Sequence, residues 1–216
     1  MTQIASASKD ASPAEPNAQA SDGEIYAWRQ AVRARLLAER FELPPAVRHE
    51  HASEIARHLM PLLAPFDGRV VSLYWPIRAE PDLRGLMPAI VGGGGRCALP
   101  VIVEKKAPMV FRPWGPEVKL IPGVWNIPEP PPGKTVVPDV VVTPVVGFDA
   151  AGFRLGYGGG YFDRTLASLA KRPLVIGVGY AQAALPTIYP LPHDVPLDAV
   201  VTEHGVRRAS VSDGHE

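Results

Sequence analysis

Residues 147–164 read GFDAAGFRLGYGGGYFDR. Five glycines (Gly152, Gly156, Gly158, Gly159 and Gly160) fall within nine residues there, and around them stand the cation Arg154, the aromatics Tyr157, Tyr161 and Phe162 and the acid Asp163. Glycine tolerates positive φ and lets a ligand approach the backbone closely. Successive N–H groups then form an anion nest, and a helix N-terminus adds partial positive charge. A buried strand feeding such a loop and then a helix cradles phosphates, although the same glycine density also makes plain tight turns. Arg154 can neutralise a phosphate oxygen and Asp163 can hold a magnesium ion. Phosphoryl transfer needs little more, because its catalysis is positioning plus charge neutralisation. The aromatic residues add a second substrate with an aromatic part.

Other chemistries lack their residues. No GxxxxGK[ST] is present, so the chain is not a P-loop NTPase. The third glycine of 156–160 falls where a dinucleotide fingerprint has another residue, and there is no GxSxG elbow or credible triad. His49, His51 and His58 share a predicted helix, but no set of acids and histidines has metal-ligand spacing.

The elements that must position the loop follow from periodicity. A β-branched run over 139–146 predicts the strand before it, and 161–171 the helix after it. At the front, Ser21 and Glu24 form a capping box, and Ile25, Trp28, Val32 and Leu36 recur at helical spacing to about Arg40. Arg29 and Arg33 lie one turn apart on that helix, a stripe that periodicity alone reads as solvated. Prolines 44 and 45 break the helix, and Val47, His51, Ile55, Leu59 and Leu62 mark a second. Residues 69–75 form a buried strand whose C-terminal end leads into 74–82, where open α/β sheets place ligands. There Asp82 reads as a cap for a short helix over 83–91, while Glu80 is open between a cap and a ligand contact.

The glycines 92–95 join a helix to the N-terminal end of a strand, so they read as a connection rather than a second phosphate loop. Strands over 97–103 and 109–114 follow. Prolines cluster over 107–138, predicting a long ordered loop; 121–132 is too proline-rich for a ladder and reads as a lid or binding loop with Trp125 as an apolar wall. Strands over 174–180 and 197–202 and a final strand or hairpin near Arg208 complete a three-layer α/β/α sandwich on a mostly parallel sheet.

The chain has 216 residues with 22 basic and 22 acidic side chains, which suits one α/β domain and leaves no electrostatic footprint for nucleic acid or a membrane surface. No apolar run approaches the about 20 residues of a membrane span. The single cysteine, Cys97, sits in an apolar strand and reads as a buried inert thiol in a reduced, cytoplasmic compartment. Residues 1–23 read as a disordered tail, 24–208 as one domain and 209–216 as a polar tail.

The motif from Gly147-Phe-Asp149 through Arg154-Leu-Gly-Tyr-Gly-Gly-Gly-Tyr-Phe-Asp-Arg164 resembles the signature of 5-formyltetrahydrofolate cyclo-ligases. The Arg29/Arg33 pair, residues 74–82, the WNIPEP of 125–130 and the closing LDAVVT of 197–202 with His193-Asp194 extend the likeness over roughly 24–205. The resemblance implies an ATP- and Mg2+-dependent conversion of 5-formyltetrahydrofolate to 5,10-methenyltetrahydrofolate with release of ADP and phosphate. The formyl oxygen is phosphorylated first, and the neighbouring arylamine nitrogen then closes the ring. By the same resemblance Arg29, Arg33, Arg154, Gly156, Tyr157, Gly158, Gly159, Gly160, Tyr161 and Phe162 would bind ATP, with Arg154 and Tyr161 catalytic. Arg33, Tyr74, Glu80, Trp125, Tyr157, Tyr161 and the three consecutive glycines would meet the folate, and Asp163 and Asp198 the magnesium. A monomer or weak homodimer with small-molecule partners only is expected. Three positions depart from the family pattern: Arg29 for a lysine, Phe162 for a tyrosine and Leu191 for an acid. They leave open a paralogous ATP-dependent enzyme with another N-acyl or heteroaromatic substrate, and a non-catalytic folate or nucleotide binder.

Overall fold

The computed structural model describes residues 15–17 and 19–209. Most of the expected N-terminal tail and all but residue 209 of the C-terminal one lie outside them. Helix α1 (Asp22–Glu42) opens with the expected box: the Glu24 N–H donates to the Ser21 hydroxyl and the Ser21 N–H to the Glu24 carboxylate. Pro45 is well placed as the first residue of α2 (Pro45–Leu63), because its missing N–H would have had no helical partner.

Strand β1 (Val70–Ser72) is followed by a single 3-10 turn and α3 (Met87–Gly92), then β2 (Arg96–Val101) and β3 (Val110–Trp114). The short strands β4 (Ile121–Pro122) and β5 (Pro128–Glu129) precede β6 (Val140–Pro144), β7 (Gly147–Phe148) and β8 (Arg154–Leu155). Helix α4 (Tyr161–Ser168), β9 (Leu174–Val178), β10 (Ala199–Thr202) and β11 (Gly205–Arg208) complete the order.

Seven strands form one sheet in the order β11-β10-β9-β6-β1-β2-β3. The five inner strands are parallel and the two edges antiparallel. Side chains alternate faces along each strand. Val71, Val140, Val142, Ile176 and Val178 pack with Ile55, Leu59 and Leu63 of α2 and Ile90 of α3. Val70, Val141, Val175 and Val200 pack with Trp28, Val32 and Leu36 of α1 and Leu166 of α4. This is the expected α/β/α sandwich, and Cys97 is buried within it. Among the described residues no helix is long and apolar enough to cross a membrane.

Two local expectations are corrected. Residues 121–129 do form a ladder: the Gly123 N–H donates to the Ile127 carbonyl at 2.9 Å, so the next pair, Pro122 and Pro128, falls where no N–H is needed. The buried strand also does not feed the glycine loop directly. After β6 the chain makes the β7–β8 hairpin, which takes Gly152 into its turn and away from the glycines of 156–160.

Asp149 ties that hairpin down. It is buried, and its two oxygens accept the N–H groups of Phe153 and Ile188, each at 3.0 Å. Asp149→Ala strands two N–H groups and should cost about 2–4 kcal/mol in urea unfolding, with Asp149→Asn between it and wild type; equal stability of all three would contradict this anchoring.

Candidate functional site

The C-terminal ends of the parallel strands carry the site. Beyond β1 the chain turns back through Arg78 and Ala79, both in the left-handed region (φ 47° and 59°). The Tyr180 hydroxyl donates to the Ala79 carbonyl at 3.1 Å and fixes this costly turn. It drives Glu80 inward until only 7% is exposed. There Glu80 Oε2 accepts the Ile77 N–H at 2.8 Å and Oε1 accepts the Tyr157 hydroxyl at 2.7 Å. Burial raises the carboxyl from 4.5 to about 7, against the opposing pull of the Ile77 N–H, Tyr157, Arg40 and Arg78. Glu80 therefore faces Tyr157 of the glycine loop and does not cap the following helix. Asp82 does the local work instead, accepting the Arg84 N–H at 3.1 Å.

Residues 156–160 join β8 to α4. Gly160 is the residue before the helix and is left-handed (φ 62°), with no side chain capping the first turn. The leading N–H groups of α4 are thus without a side-chain cap. The Nε of Arg33 donates to the Gly156 carbonyl at 2.6 Å. Its guanidinium lies along Gly158 (φ 89°), where a Cβ would sit 3.5 Å from it. Burial pushes Arg33 below its ordinary range; Tyr26 opposes this and Arg29 adds to it. Among the described residues the two terminal nitrogens of Arg33 hold no hydrogen bond. A cavity of about 400 Å³ opens beside Gly158, Gly159, Gly160, Asp163 and His193.

The other expected residues divide. Tyr157 and Tyr161 flank the three consecutive glycines. Tyr161 meets Trp125 edge to face at 5.9 Å, and Trp125 is 69% exposed at the tip of the β4–β5 ladder. Arg154 is buried, donating to the Val195 carbonyl at 2.8 Å and to Asp163 at 2.9 Å, so it braces the loop rather than facing the cavity. Phe162 lies against the Arg154 guanidinium, 5.9 Å from it.

Arg29 is neither a solvated stripe nor an open phosphate ligand. It is 7% exposed, its fork is filled by Asp194 at 2.6 and 3.3 Å, and it also donates to the Ile188 and Tyr189 carbonyls. Burial alone would raise Asp194, but the bonds from Arg29 and the Leu191 N–H hold it below the usual carboxylate range. Tyr74 is also corrected: it lies in the core with its hydroxyl on the Pro81 carbonyl at 2.7 Å, and has no face for a substrate.

Asp163 and Asp198 are not brought into one cluster. Asp198 precedes β10, at the opposite end of the parallel strands. One of its oxygens accepts the Val175 N–H at 2.7 Å and the other pairs with Arg172 at 3.1 Å. Among the described residues no group of three acids, histidines or cysteines is placed to hold a metal. Asp163 has one oxygen on Arg154 and the Val195 N–H, and it borders the cavity. A single carboxylate suits magnesium, which keeps waters and is held largely by substrate phosphates. Asp163 fits that role and Asp198 does not.

Arg40 and Arg78 join this constellation without a motif to announce them. Arg40 donates to the Tyr157 hydroxyl at 3.3 Å and to the Val145 carbonyl, and Arg78 lies 5.3 Å over the Tyr157 ring. In sequence Arg40 is only a cation in the last turn of a helix, a position favourable for its own reasons.

A model of the 5-formyltetrahydrofolate cyclo-ligase family matches residues 25–203. The chain is 32% identical over 183 residues to the 5-formyltetrahydrofolate cyclo-ligase of Mycolicibacterium smegmatis, covering 81% of this chain and 93% of that one. It is 32% identical over 168 residues to the Escherichia coli protein of the same description, covering 74% and 92%. The NMR structure of Aquifex aeolicus 5,10-methenyltetrahydrofolate synthetase superposes with a TM-score of 0.73 at 31% identity, over 87% of this chain and 95% of that one.

The buried Glu80 makes stability depend on pH in a defined direction. A carboxyl raised to about 7 in the folded chain contributes stability that is complete below 4.5 and lost as pH rises through 7. Wild type should lose about 3 kcal/mol relative to Glu80→Gln between about pH 4.5 and 8.5 in paired urea titrations. Parallel curves for the two proteins would remove the claim.

Proposed function

Because the chain belongs to the 5-formyltetrahydrofolate cyclo-ligase family, we propose that it converts 5-formyltetrahydrofolate to 5,10-methenyltetrahydrofolate, with ATP cleaved to ADP and phosphate. The observation that carries this reading to the site is a single loop with two kinds of flank. On one side of Gly158, Gly159 and Gly160, Tyr157 bonds the buried Glu80; on the other, Tyr161 meets Trp125. An anion nest and a surface for a planar heterocycle thereby share five residues.

ATP is the second substrate. Its phosphates meet the N–H groups of the loop, the uncapped first turn of α4 and the two terminal nitrogens of Arg33. Magnesium, when bound with ATP, would neutralise charge on the phosphates; Asp163 offers it one carboxylate, oriented by Arg154. The formyl oxygen attacks the γ-phosphorus and ADP leaves. The arylamine nitrogen then attacks the formyl carbon and gives up its proton to solvent, and that oxygen departs with phosphate. Phosphorylation makes a poor leaving group a good one, so the site's task is to hold two reactants in line. Glu80 and Tyr157 supply the polar contacts to the folate, and Tyr161 and Trp125 the aromatic wall.

The test is to mix the protein with MgATP and 5-formyltetrahydrofolate and follow the absorbance of the methenyl product. Product that requires both ATP and Mg2+ is expected; folded protein that makes none contradicts the reading. Arg33→Ala should raise the KM for ATP about 10–100-fold, the loss of charge-assisted hydrogen bonds, with the KM for folate within about twofold. An unchanged KM for ATP would remove Arg33 from the phosphate site.

A further inference from the structure

Arg40 is 2% exposed in the last turn of α1 and forms no direct ion pair among the described residues. A buried guanidinium without a counter-charge is expensive. Its nearest compensation runs through a phenol: one arm donates to the Val145 carbonyl, where the chain leaves β6, and the other to the Tyr157 hydroxyl at 3.3 Å. That hydroxyl in turn donates to Glu80 at 2.7 Å. The contrast with Arg29 is direct, because Arg29 meets its carboxylate without an intermediary.

Hydrogen-bond inventory makes the chain directional. A guanidinium only donates, so the Tyr157 oxygen accepts from Arg40 and its one proton must go to Glu80. The Ile77 N–H donates to the other Glu80 oxygen. Both oxygens are therefore acceptors towards the protein. Their remaining lone pairs can accept only from a ligand that brings its own donors, as the N–H groups on the amidine-like edge of a reduced pterin do.

We propose that Arg40 is a positioning residue of the folate site: it fixes the Tyr157 hydroxyl on Glu80 and thereby holds that carboxylate as an acceptor for the N–H edge of the heterocycle. The proposal rests on the cyclo-ligase reading for the identity of the ligand. The groups facing Glu80 come from several elements: Arg40 from α1, Tyr74 from the end of β1, Arg78 from its own turn, Tyr157 from the glycine loop and Tyr180 from beyond β9. Of these, Arg40, Arg78 and Tyr157 favour the ionised carboxylate, and burial opposes them.

The test reads Glu80 directly in the ligand-free protein, by carbon NMR titration of labelled glutamate carboxyls with Glu80→Gln for assignment. It is paired with steady-state KM values. Arg40→Met should raise the Glu80 midpoint by about one pH unit and the folate KM about tenfold, with the KM for ATP within about twofold. Arg40→Lys, which keeps the charge, should hold the midpoint nearer wild type. An unmoved midpoint, or both KM values rising together with lost stability, overturns the proposal. If Arg40→Met does not fold, Arg40→Gln decides by the same readouts: it must raise the midpoint and the folate KM with the KM for ATP within about twofold, and an unmoved midpoint overturns the proposal equally. A chain that makes no methenyl product yet shifts Glu80 fails the cyclo-ligase reading alone. One that makes product with Glu80 unshifted fails the Arg40 proposal alone.

Discussion

A run of glycines has no side chains with which to hold itself, so the 156–160 loop depends on charge delivered from outside. Arginines do this from every direction. Arg33 grips the Gly156 carbonyl, Arg164 the Gly159 carbonyl, Arg40 the Tyr157 hydroxyl, and Arg154 anchors Asp163 in the first turn of α4. Two of the four come from one face of α1, whose apolar stripe of Trp28, Val32 and Leu36 fixes their height over the sheet. The core thus sets the site by setting the register of one helix.

The same arrangement explains why buried charge is tolerated here. Arg29, Arg40, Arg154 and Glu80 are all nearly inaccessible, yet each is spent on carbonyls, a hydroxyl or an acid. Removing one partner would strand another, which makes the cluster unforgiving to substitution and rigid in use. Glu80 is the exception in degree: its donors do not fully offset its burial, and it sits near neutrality with lone pairs to spare. An acid left in that balance, beside an anion nest, can respond to a ligand without the fold having to move.

What the sequence disclosed follows from the range of the forces involved. The sandwich, the parallel sheet and the order of helices rest on local period, and they were legible in runs such as 140–144 and in the Ile55–Leu59 spacing. The glycine loop and its aromatics were legible because they are contiguous. The partners of Arg29 lie about 160 residues away along the chain, and no helical periodicity carries that information. Arg40 was invisible for the same reason, as its meaning depends on where Tyr157 and Val145 arrive. Tyr74 and Asp198 were placed by likeness, and packing gave both other work. The β7–β8 hairpin was hidden because two-residue strands leave almost no alternation to read.

One loop serves both substrates from opposite flanks. Amide hydrogen exchange of the 156–161 segment, with ATP alone and with the reduced folate alone, tests this most directly. Each ligand by itself should slow exchange in that segment, ATP together with the first turn of α4 and the folate together with the turn at Ile77–Glu80. Protection by either ligand that leaves 156–161 unchanged, or that falls instead on the connection at 92–95, would contradict it.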